Sequence, residues 1–371
     1  MDAHTAAESP AAGGRFSGRL ALVAEYPPPA AGMTVQAQQL QRRLRAAGVE
    51  VVMIRTNPRL PGWLARVRYL RGLLRWSRFL WDCRRLRTVE VAHVFACSGL
   101  SFLLFVVPAV ILARVWERGV VLHYHGGAAE SFAQRHPRLV ARTLARVGRL
   151  VVPSEYLREV FGRLGYPAEV IGNPTDLAAF PFRERPGGDP IVLSCRNLLP
   201  VYDVATSVRA FAAVVRRLPG ARLLIAGDGP QLDELRRLAA ELGIGAAVEF
   251  LGNVPNERMP ELLARAQILI NSSRVDNLPG SILEAFAAGV PVVSTDAGGI
   301  PWLVRDGVNG LLAPVGDWER LGAQAVRLIE DPGMATRLAR QGRVTVEELS
   351  WERIGARWQA VYAALPSTRS A

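Results

Sequence analysis

Residues 268–294, ILINSSRVDNLPGSILEAFAAGVPVVS, decide the fold class of the chain. The stretch begins with the apolar, β-rich segment Ile268–Asn271, passes through a loop into a helical segment at 280–288, and ends in a second apolar segment, Val292–Ser294. Strands that are apolar along their whole length are typical of parallel sheets covered on both faces. The stretch therefore predicts a strand–helix–strand unit of a parallel sheet.

The same alternation of strand and helix extends over the whole chain. The predicted strands are Leu20–Ala24, Val49–Ile54, Glu90–Phe95, Val120–Tyr124, Leu150–Val152, Glu169–Ile171, Ile191–Ser194, Arg222–Ala226, Val248–Leu251, Ile268–Asn271, Val292–Ser294 and Gly310–Leu312. Two such series predict an α/β protein with two doubly wound parallel-sheet domains that face each other across a cleft. Because such sheets bind ligands beyond the carboxyl ends of their strands, we expect the cleft to hold the site.

A cluster of glycine and proline residues at 172–190 marks the boundary between the two domains. We expect a flexible tail at 1–17, an N-terminal domain at 18–175 and a C-terminal domain at 176–349. We also expect a C-terminal helix at 350–371, which can cross back from the C-terminal domain to the N-terminal domain.

Charge is divided unevenly between the two halves. All 45 basic residues are arginine, so the chain has no lysine for a Schiff base, a P-loop or a kinase-type site. Residues 1–172 hold 24 arginines against 11 acids, whereas residues 173–371 are close to neutral. The basic first half indicates an anionic partner, such as a membrane, a nucleic acid or an acidic substrate, or else a solvated arginine surface.

Cysteine usage and the start of the chain indicate a reducing, cytoplasmic location. The chain has three cysteines and no Cys-x-x-Cys, which argues against a disulfide framework and a zinc site. No apolar run follows a basic start, so we expect no signal peptide. The uncharged run at 94–113 could span a bilayer. A strand end and a buried crossover helix are the favoured interpretation, against a membrane span or an interfacial helix.

The second half carries the strongest site motifs. Residues 223–230, LLIAGDGP, predict a strand that enters a tight turn at Gly227. A helix is predicted to begin at Gly280 and Ser281, where free backbone N–H groups attract a phosphate. Glu284 follows about one turn later, at a position from which it can accept hydrogen bonds from a sugar diol.

Two weaker motifs lie in the first half. The first predicted strand leads through a small-residue loop to Gly32 and a helix, which is another possible anion site. The fourth strand ends in His123-Tyr124-His125-Gly126-Gly127. We expect its two histidines to face opposite sides of the strand, with His123 in the core and His125 towards the site. A purely structural role for His125 is the alternative.

Taken together, these motifs resemble the retaining glycosyltransferases of family 4, and the likeness runs from about residue 20 to residue 312. The family pattern is an acid, a second acid eight residues later and an Ala/Gly/Pro/Val run; this chain has Asp276, Glu284 and AFAAGVPVV at 285–293. The segment at 171–176, IGNPTD, resembles the family hinge. The resemblance implies the GT-B fold of two Rossmann-like domains, with the acceptor side in the N-terminal domain and donor binding in the C-terminal one.

The resemblance also implies that a sugar moves from a UDP- or GDP-sugar to an acceptor hydroxyl with retention of configuration, as part of bacterial glycan biosynthesis. The implied catalytic residues are His125, Arg196 and Asp276. The implied donor-binding residues are Gly32, Arg196, Gly227, Gly280, Ser281, Ile282 and Glu284. No Asp-x-Asp metal motif occurs, and we expect neither a metal ion nor another cofactor.

Two departures from the family pattern keep other interpretations open. The phosphate-binding lysine is absent, with Tyr202 near its place, and Pro279 replaces a glycine. The alternatives are an inactive nucleotide-sugar-binding or membrane-bound partner protein and an epimerase of the same fold. A nicotinamide dehydrogenase is disfavoured, because the glycine fingerprint is missing.

Residues 59–87 hold nine arginines and one acid, and predict an amphipathic helix. Its apolar stripe consists of Trp63, Val67, Leu70, Leu74 and Trp81. Such a helix can bind an anionic membrane, which would suit a lipid-linked acceptor and a peripheral position on the inner face of the plasma membrane. The alternative is that the stripe packs on the N-terminal sheet. No nucleic-acid-binding motif is present, so we expect no such partner.

Overall fold

The computed structural model describes residues 16–27, 32–58, 71–185 and 190–365, which form two compact units. The first unit contains the described chain up to Pro153, then Arg158–Ile171, and the described residues from Trp351 to Leu365. The second contains Ser154–Leu157 and Gly172–Ser350. Residues 1–15 of the predicted tail lie outside the described residues, while Phe16 is buried in the first unit.

The first unit is built on a six-stranded parallel sheet with the order β2-β1-β3-β4-β5-β6. Its strands are β1 (Arg19–Ala24), β2 (Glu50–Arg55), β3 (Val91–Ala96), β4 (Gly119–Tyr124), β5 (Arg149–Val152) and β6 (Glu169–Val170). The helices between them are α1 (Gly32–Ala46), α2 (Arg71–Asp82), α3 (Val107–Val115), α4 (Ala129–Arg135), α5 (Pro137–Leu144) and α6 (Glu155–Arg163). A 3₁₀ segment, Cys83–Thr88, follows α2, and a π-helical turn, Phe102–Val106, leads into α3.

The second unit repeats this plan with the strand order β12-β11-β10-β7-β8-β9, again all parallel. Its strands are β7 (Ile191–Ser194), β8 (Arg222–Ala226), β9 (Val248–Gly252), β10 (Ile268–Asn271), β11 (Val292–Thr295) and β12 (Leu311–Ala313). Its helices are α7 (Val204–Arg217), α8 (Leu232–Glu241), α9 (Met259–Arg265), α10 (Gly280–Ala288), α11 (Ile300–Leu303), α12 (Trp318–Glu330) and α13 (Pro332–Glu347). Short 3₁₀ turns occur at Pro200–Tyr202, Gly245–Ala247 and Asn256–Arg258.

Both faces of the second sheet are buried, as the apolar strands predict. Ile268 and Ile270 of β10 point into one core, while Leu269 between them points into the other. This alternation is the two-residue period of a strand, and here each face is covered by helices. The predicted two-domain parallel α/β fold is confirmed.

The last helix, α14 (Trp351–Ala363), packs on the sheet of the first unit. Trp358 and Tyr362 of α14 are buried in the same core as Leu22 of β1 and Val121 of β4. The hydrophobic contacts of α14 therefore attach this helix to the first unit.

The structure describes one of the two segments considered for membrane contact in full and the other in part. The uncharged run at 94–113 forms the end of β3, the π-helical turn and most of α3, and none of the described helices has the length and apolarity needed to cross a membrane. The amphipathic helix predicted at 59–87 is described only from Arg71 onward; residues 59–70, which include Trp63, Val67 and Leu70, lie outside the described residues.

Candidate functional site

The centre of the second sheet provides a crevice for a ligand. β7 and β10 are neighbours, and the strand order runs outward from them in opposite directions. At such a switch point the crossover helices diverge and leave a binding crevice beyond the carboxyl ends of the strands. Arg196 follows β7 and Asp276 follows β10, so the fold brings both side chains to the same crevice.

Arg196 is held by three different groups. Its guanidinium forms an ion pair with the carboxylate of Asp276. Its Nε and Nη2 donate to Ser273 Oγ at 3.3 and 3.2 Å, and its Cζ lies 4.3 Å from the ring centre of Tyr202. Burial lowers the pKa of Arg196, while the neighbouring Tyr202 and Cys195 raise it. The crevice thus contains a positioned cation that an incoming phosphate could reach.

Glycine at 227 is required by the chain's own packing. A Cβ on Gly227 would lie 2.0 Å from the carbonyl oxygen of Arg196, and one on Gly229 would lie 2.5 Å from that of Leu198. The backbone N–H of Leu198 also donates to the carbonyl of Asp228 at 2.9 Å. The glycine turn after β8 therefore supports the loop that carries Arg196.

The loop of Asp276 is fixed in a similar way. Asn277 N–H donates to Asp276 Oδ1 at 2.9 Å, and Gly299 N–H donates to the Asp276 carbonyl at 2.7 Å. A Cβ on Gly298 would lie 2.4 Å from that same carbonyl oxygen, and Gly298 has a positive φ of 53°. Close approach of the two loops thus sets the direction of the Asp276 carboxylate.

Helix α10 begins at Gly280, as the sequence predicts. Of the three backbone N–H groups expected to bind a phosphate there, one already donates a hydrogen bond within the protein. Ile282 N–H donates to the Pro279 carbonyl at 3.1 Å. No described residue accepts a hydrogen bond from the N–H groups of Gly280 and Ser281, and the buried Ser281 Oγ has no partner in the described chain either. The expected donor set at this helix start is therefore Gly280 and Ser281, with Ile282 already engaged.

Glu284 lies one turn further along α10 and is largely buried. Burial raises its pKa to about 7. Within the described ranges its carboxylate has no hydrogen-bond or ion-pair partner. A buried carboxylate without partners is destabilising, so Glu284 is a strong candidate for contact with hydroxyl groups of a ligand.

The predicted site residues of the first unit lie at the carboxyl ends of its strands. Gly32 is the first residue of α1 and is exposed, and an added Cβ would meet no atom within 4 Å. Residues 28–31 of the loop before it lie outside the described residues. His125 directly follows β4 and is half-buried.

The expectation that His123 and His125 face opposite sides of β4 is wrong. Their ring centres are 4.0 Å apart, and His123 also contacts His93 of β3. Residues two apart on a strand share a face, so both imidazoles lie on the same side of the sheet. Burial lowers the pKa of His125 to about 4, which makes it a neutral imidazole at pH 7.

Two residues that contact Arg196, Ser273 and Tyr202, are assigned no site role from the sequence. Ser273 accepts hydrogen bonds from Arg196 and donates to Asn271 Oδ1 at 3.0 Å. In the sequence Tyr202 stands only near the place of the family's lysine, and in the structure its ring face contacts the guanidinium of Arg196. Ser273 lies just beyond β10, and it reaches Arg196 because β7 pairs with β10, which the sequence alone does not reveal. Across the described positions, no group of three or more His, Cys, Asp or Glu side chains could hold a metal ion.

Two family models together match most of the chain. The model described as "Glycosyltransferase Family 4" matches residues 30–179, and "Glycosyl transferases group 1" matches residues 178–345. The two matches overlap at residues 178–179, just inside the second structural unit, so each model matches chiefly one unit.

Individual relatives agree with these matches. The lipopolysaccharide core biosynthesis glycosyltransferase LpsE of Rhizobium meliloti is 35% identical over 49% of this chain and 52% of its own length. The GDP-mannose-dependent α-(1-6)-phosphatidylinositol monomannoside mannosyltransferase of Mycolicibacterium smegmatis is 32% identical over 59% of this chain and 64% of its own. The chain thus spans about half to two thirds of the length of these relatives.

Among solved structures, HepE from Anabaena in complex with UDP-glucose matches with a TM-score of 0.72 at 19% identity, covering 92% of this chain and 98% of its own. This likeness shows the fold, which is the two-unit GT-B architecture. Family models, relatives and fold agree, and the chain belongs to the family 4 (group 1) glycosyltransferases.

Proposed function

We propose that the protein transfers a sugar from a nucleotide-sugar donor to an acceptor hydroxyl, with retention of configuration, in bacterial glycan or glycoconjugate biosynthesis. The observation that carries the proposal is the crevice of the second unit. It combines the buried Arg196–Asp276 pair, the free N–H groups at the start of α10 and the unpartnered carboxylate of Glu284. These groups match the diphosphate, sugar and ribose parts of a nucleotide sugar.

Each part of the donor has a proposed partner. Arg196 and the N–H groups of Gly280 and Ser281 bind the diphosphate, because a helix start and a guanidinium both favour phosphate oxygens. Glu284 accepts hydrogen bonds from the ribose hydroxyls, and Asp276 from hydroxyls of the transferred sugar. The named donors GDP-mannose and UDP-glucose of two similar proteins support this ligand class.

Gly32, Ile282, Gly227 and His125 complete the assignment. The N–H groups that open α1 at Gly32 provide a further phosphate contact, and Ile282 contributes if its bond to Pro279 is exchanged. Gly227 contributes indirectly. Because it has no side chain, the loop that carries Arg196 can pack directly against it. His125 contacts the transferred sugar as a neutral imidazole.

In the reaction, the bond between the anomeric carbon and the diphosphate oxygen breaks while a bond to the acceptor oxygen forms on the same face. The acceptor proton moves to the departing phosphate. Negative charge grows on that phosphate, and a positioned cation beside it lowers the barrier. Arg196 supplies this charge, so the proposed reaction does not depend on a metal ion.

The direct test incubates the full chain with UDP- and GDP-sugars and a lipid or sugar acceptor, with and without EDTA. Mass spectrometry of the product identifies the sugar, and the anomeric coupling in NMR identifies the configuration. A product of retained configuration that forms equally in EDTA is expected. Donor binding without any transfer to a broad acceptor panel would favour the inactive binding protein instead, and an inverted product would contradict retention.

We further propose that the acceptor is lipid-borne and that the first unit docks on an anionic membrane through helix α2. Phe79 of α2 is buried, and Trp76 Nε1 donates to the Leu104 carbonyl at 2.9 Å, so this face of α2 rests on the protein. On another side of α2, Leu73 is 57% exposed and Trp81 is 59% exposed. The lipid in the name of the mycobacterial relative supports an acceptor of this kind.

Arg71, Arg75 and Arg78 are exposed beside this apolar edge. Each arginine near an anionic surface adds roughly 1 kcal/mol of attraction. We expect the protein to sediment with phosphatidylglycerol vesicles at low salt and less at high salt, and Trp81→Ser to weaken binding. Trp302→Ser removes a comparably exposed tryptophan of the second unit and serves as the control. Equal binding to anionic and neutral vesicles would contradict the proposal that α2 docks on an anionic membrane. Equal effects of Trp81→Ser and Trp302→Ser would contradict it as well.

A further inference from the structure

A column of buried rings connects α14 to the carboxyl ends of β3 and β4. The ring column consists of His93, Phe95, His123, Trp358 and Tyr362. His93 and Tyr362 are 0% exposed, Trp358 is 1% and His123 is 2%. The column lies entirely in the first unit and none of its members is assigned to donor or acceptor above.

Two paths of ring contact lead from His93 to His125. Along one path, His93 stacks on Phe95 at 5.0 Å with 15° between planes, and Phe95 stacks on His125 at 5.3 Å with 8°. Along the other, His93 Nε2 lies 3.2 Å from His123 Nδ1, and the His123 ring lies 4.0 Å from that of His125. The two rings that flank His125 therefore both rest on His93.

Helix α14 fixes His93 in turn. The Tyr362 hydroxyl lies 2.8 Å from His93 Nδ1, and the Trp358 ring lies 4.9 Å from the His93 ring. Burial, with a smaller contribution from His125, lowers the pKa of His93 to about 3, and burial lowers that of His123 well below its ordinary value. Each is then a neutral imidazole with one N–H and one bare nitrogen. With both nitrogens of His93 engaged, its tautomer is coupled to Tyr362 on one side and His123 on the other.

We propose that Tyr362 and His93 are positioning residues that set the ring orientation of His125 from the C-terminal helix. Neither residue touches the reacting atoms; both act through Phe95 and His123. The catalytic meaning of this arrangement rests on the proposed function, in which His125 contacts the sugar.

The orientation itself can be tested without any substrate. The chain has five histidines, so their imidazole ¹⁵N signals can be assigned one by one through substitution. Tyr362→Phe removes only the hydroxyl, and we expect changed ring signals at His93, His123 and His125, with His136 unchanged. A change confined to His93 would overturn the proposal.

Two further variants separate positioning from a general loss of packing. His93→Asn keeps a polar atom near Nδ1 for Tyr362 but loses the Nε2 contact with His123, and should alter the His125 signal as Tyr362→Phe does. If the Tyr362→Phe protein does not fold, His93→Asn alone tests whether the His125 signal depends on His93. Thr143→Val removes a buried hydroxyl that donates to the Leu139 carbonyl, and should leave the histidine signals unchanged. An equal change in this control would overturn the proposal.

Kinetics give the second readout, with UDP-glucose and GDP-mannose as donor probes. Tyr362→Phe should lower kcat at least about threefold with little change in donor KM, and should have no further effect in a His125→Ala background, because coupled residues are non-additive. An equal loss in both backgrounds would overturn positioning. If Tyr362→Phe changes the ¹⁵N signals of His123 and His125 but no sugar transfer occurs with any donor, the proposed function fails. The orientation of His125 by α14 then still stands.

Discussion

The guanidinium of Arg196 and the carboxylate of Asp276 form an ion pair in which only 12% and 14% of the side chains are exposed. In the proposed reaction the diphosphate competes for Arg196. Exchange of partners releases Asp276 to accept hydrogen bonds from the sugar. In this proposal, binding of the diphosphate to Arg196 frees the Asp276 carboxylate for the sugar.

Arg196→Met should be strongly destabilising, by about 3 kcal/mol, because it leaves a nearly buried carboxylate without its partner. The double variant Arg196→Met/Asp276→Asn should regain most of this stability, while both variants lose at least about 100-fold in kcat. Urea unfolding and steady-state kinetics measure the two effects. Recovery of activity together with stability would show that the pair is only structural.

Glycine positions 227 and 280 should respond differently to alanine. Gly227→Ala forces a methyl group against the Arg196 carbonyl, 2.0 Å from the Cβ position, and should lower both stability and kcat. Gly280→Ala meets no atom within 4 Å, and should change thermal stability little. Similar melting temperatures for the two variants would contradict the packing explanation of Gly227.

Glu284 should make stability depend on pH in a defined direction. Its pKa is raised from 4.5 to about 7 by burial, so the folded state keeps a proton that the unfolded state has released. The wild type therefore loses stability as pH rises from about 4.5 through about 7, by about 3 kcal/mol in total. Glu284→Gln should be more stable than wild type at pH 8 and similar at pH 4.5. Equal stability of the two proteins at pH 8 would contradict the buried, unpartnered carboxylate.

The buried histidines should act in the opposite direction. Burial lowers the pKa of His125 to about 4, whereas an ordinary histidine titrates near 6.5. The unfolded state therefore binds more protons between these values, and stability falls as pH drops from about 6.5 to about 4, by about 1.4 kcal/mol per pH unit for each such histidine. His125→Asn should flatten this decline in urea unfolding, and His136→Asn, at an exposed position, should not. Parallel profiles for wild type and His125→Asn would contradict the prediction.

The strands and the crevice were predictable from the sequence for a simple physical reason. Continuous apolar segments such as Ile191–Ser194 and Ile268–Asn271 are buried on both faces, and the structure has strands at those bounds. Strand adjacency was not predictable, since β7 and β10 pair across about 75 intervening residues. For that reason the sequence does not predict the contact between Ser273 and Arg196, although it predicts the loops after β7 and β10 that carry these residues.

Other details depend on geometry that a motif does not contain. The start of α10 was predicted, but the use of the Ile282 N–H by Pro279 follows from how tightly the first turn winds. The short helices α4 and α11 were not predicted, because seven- and four-residue segments carry little periodicity. The contact of His93 with Tyr362 joins residues 269 apart in the chain, and only the packing of α14 reveals it.

The central claim is that the crevice of the second unit binds the nucleoside diphosphate of a sugar donor, and calorimetric titration with UDP and GDP tests it most directly. Wild type should bind at least one of the two nucleotides. Arg196→Met and Glu284→Gln should each weaken that binding about tenfold or more, corresponding to roughly 1.4 kcal/mol or more, while His136→Asn binds like wild type. Failure of both nucleotides to bind, or unchanged affinity in the Arg196 and Glu284 variants, would contradict the account.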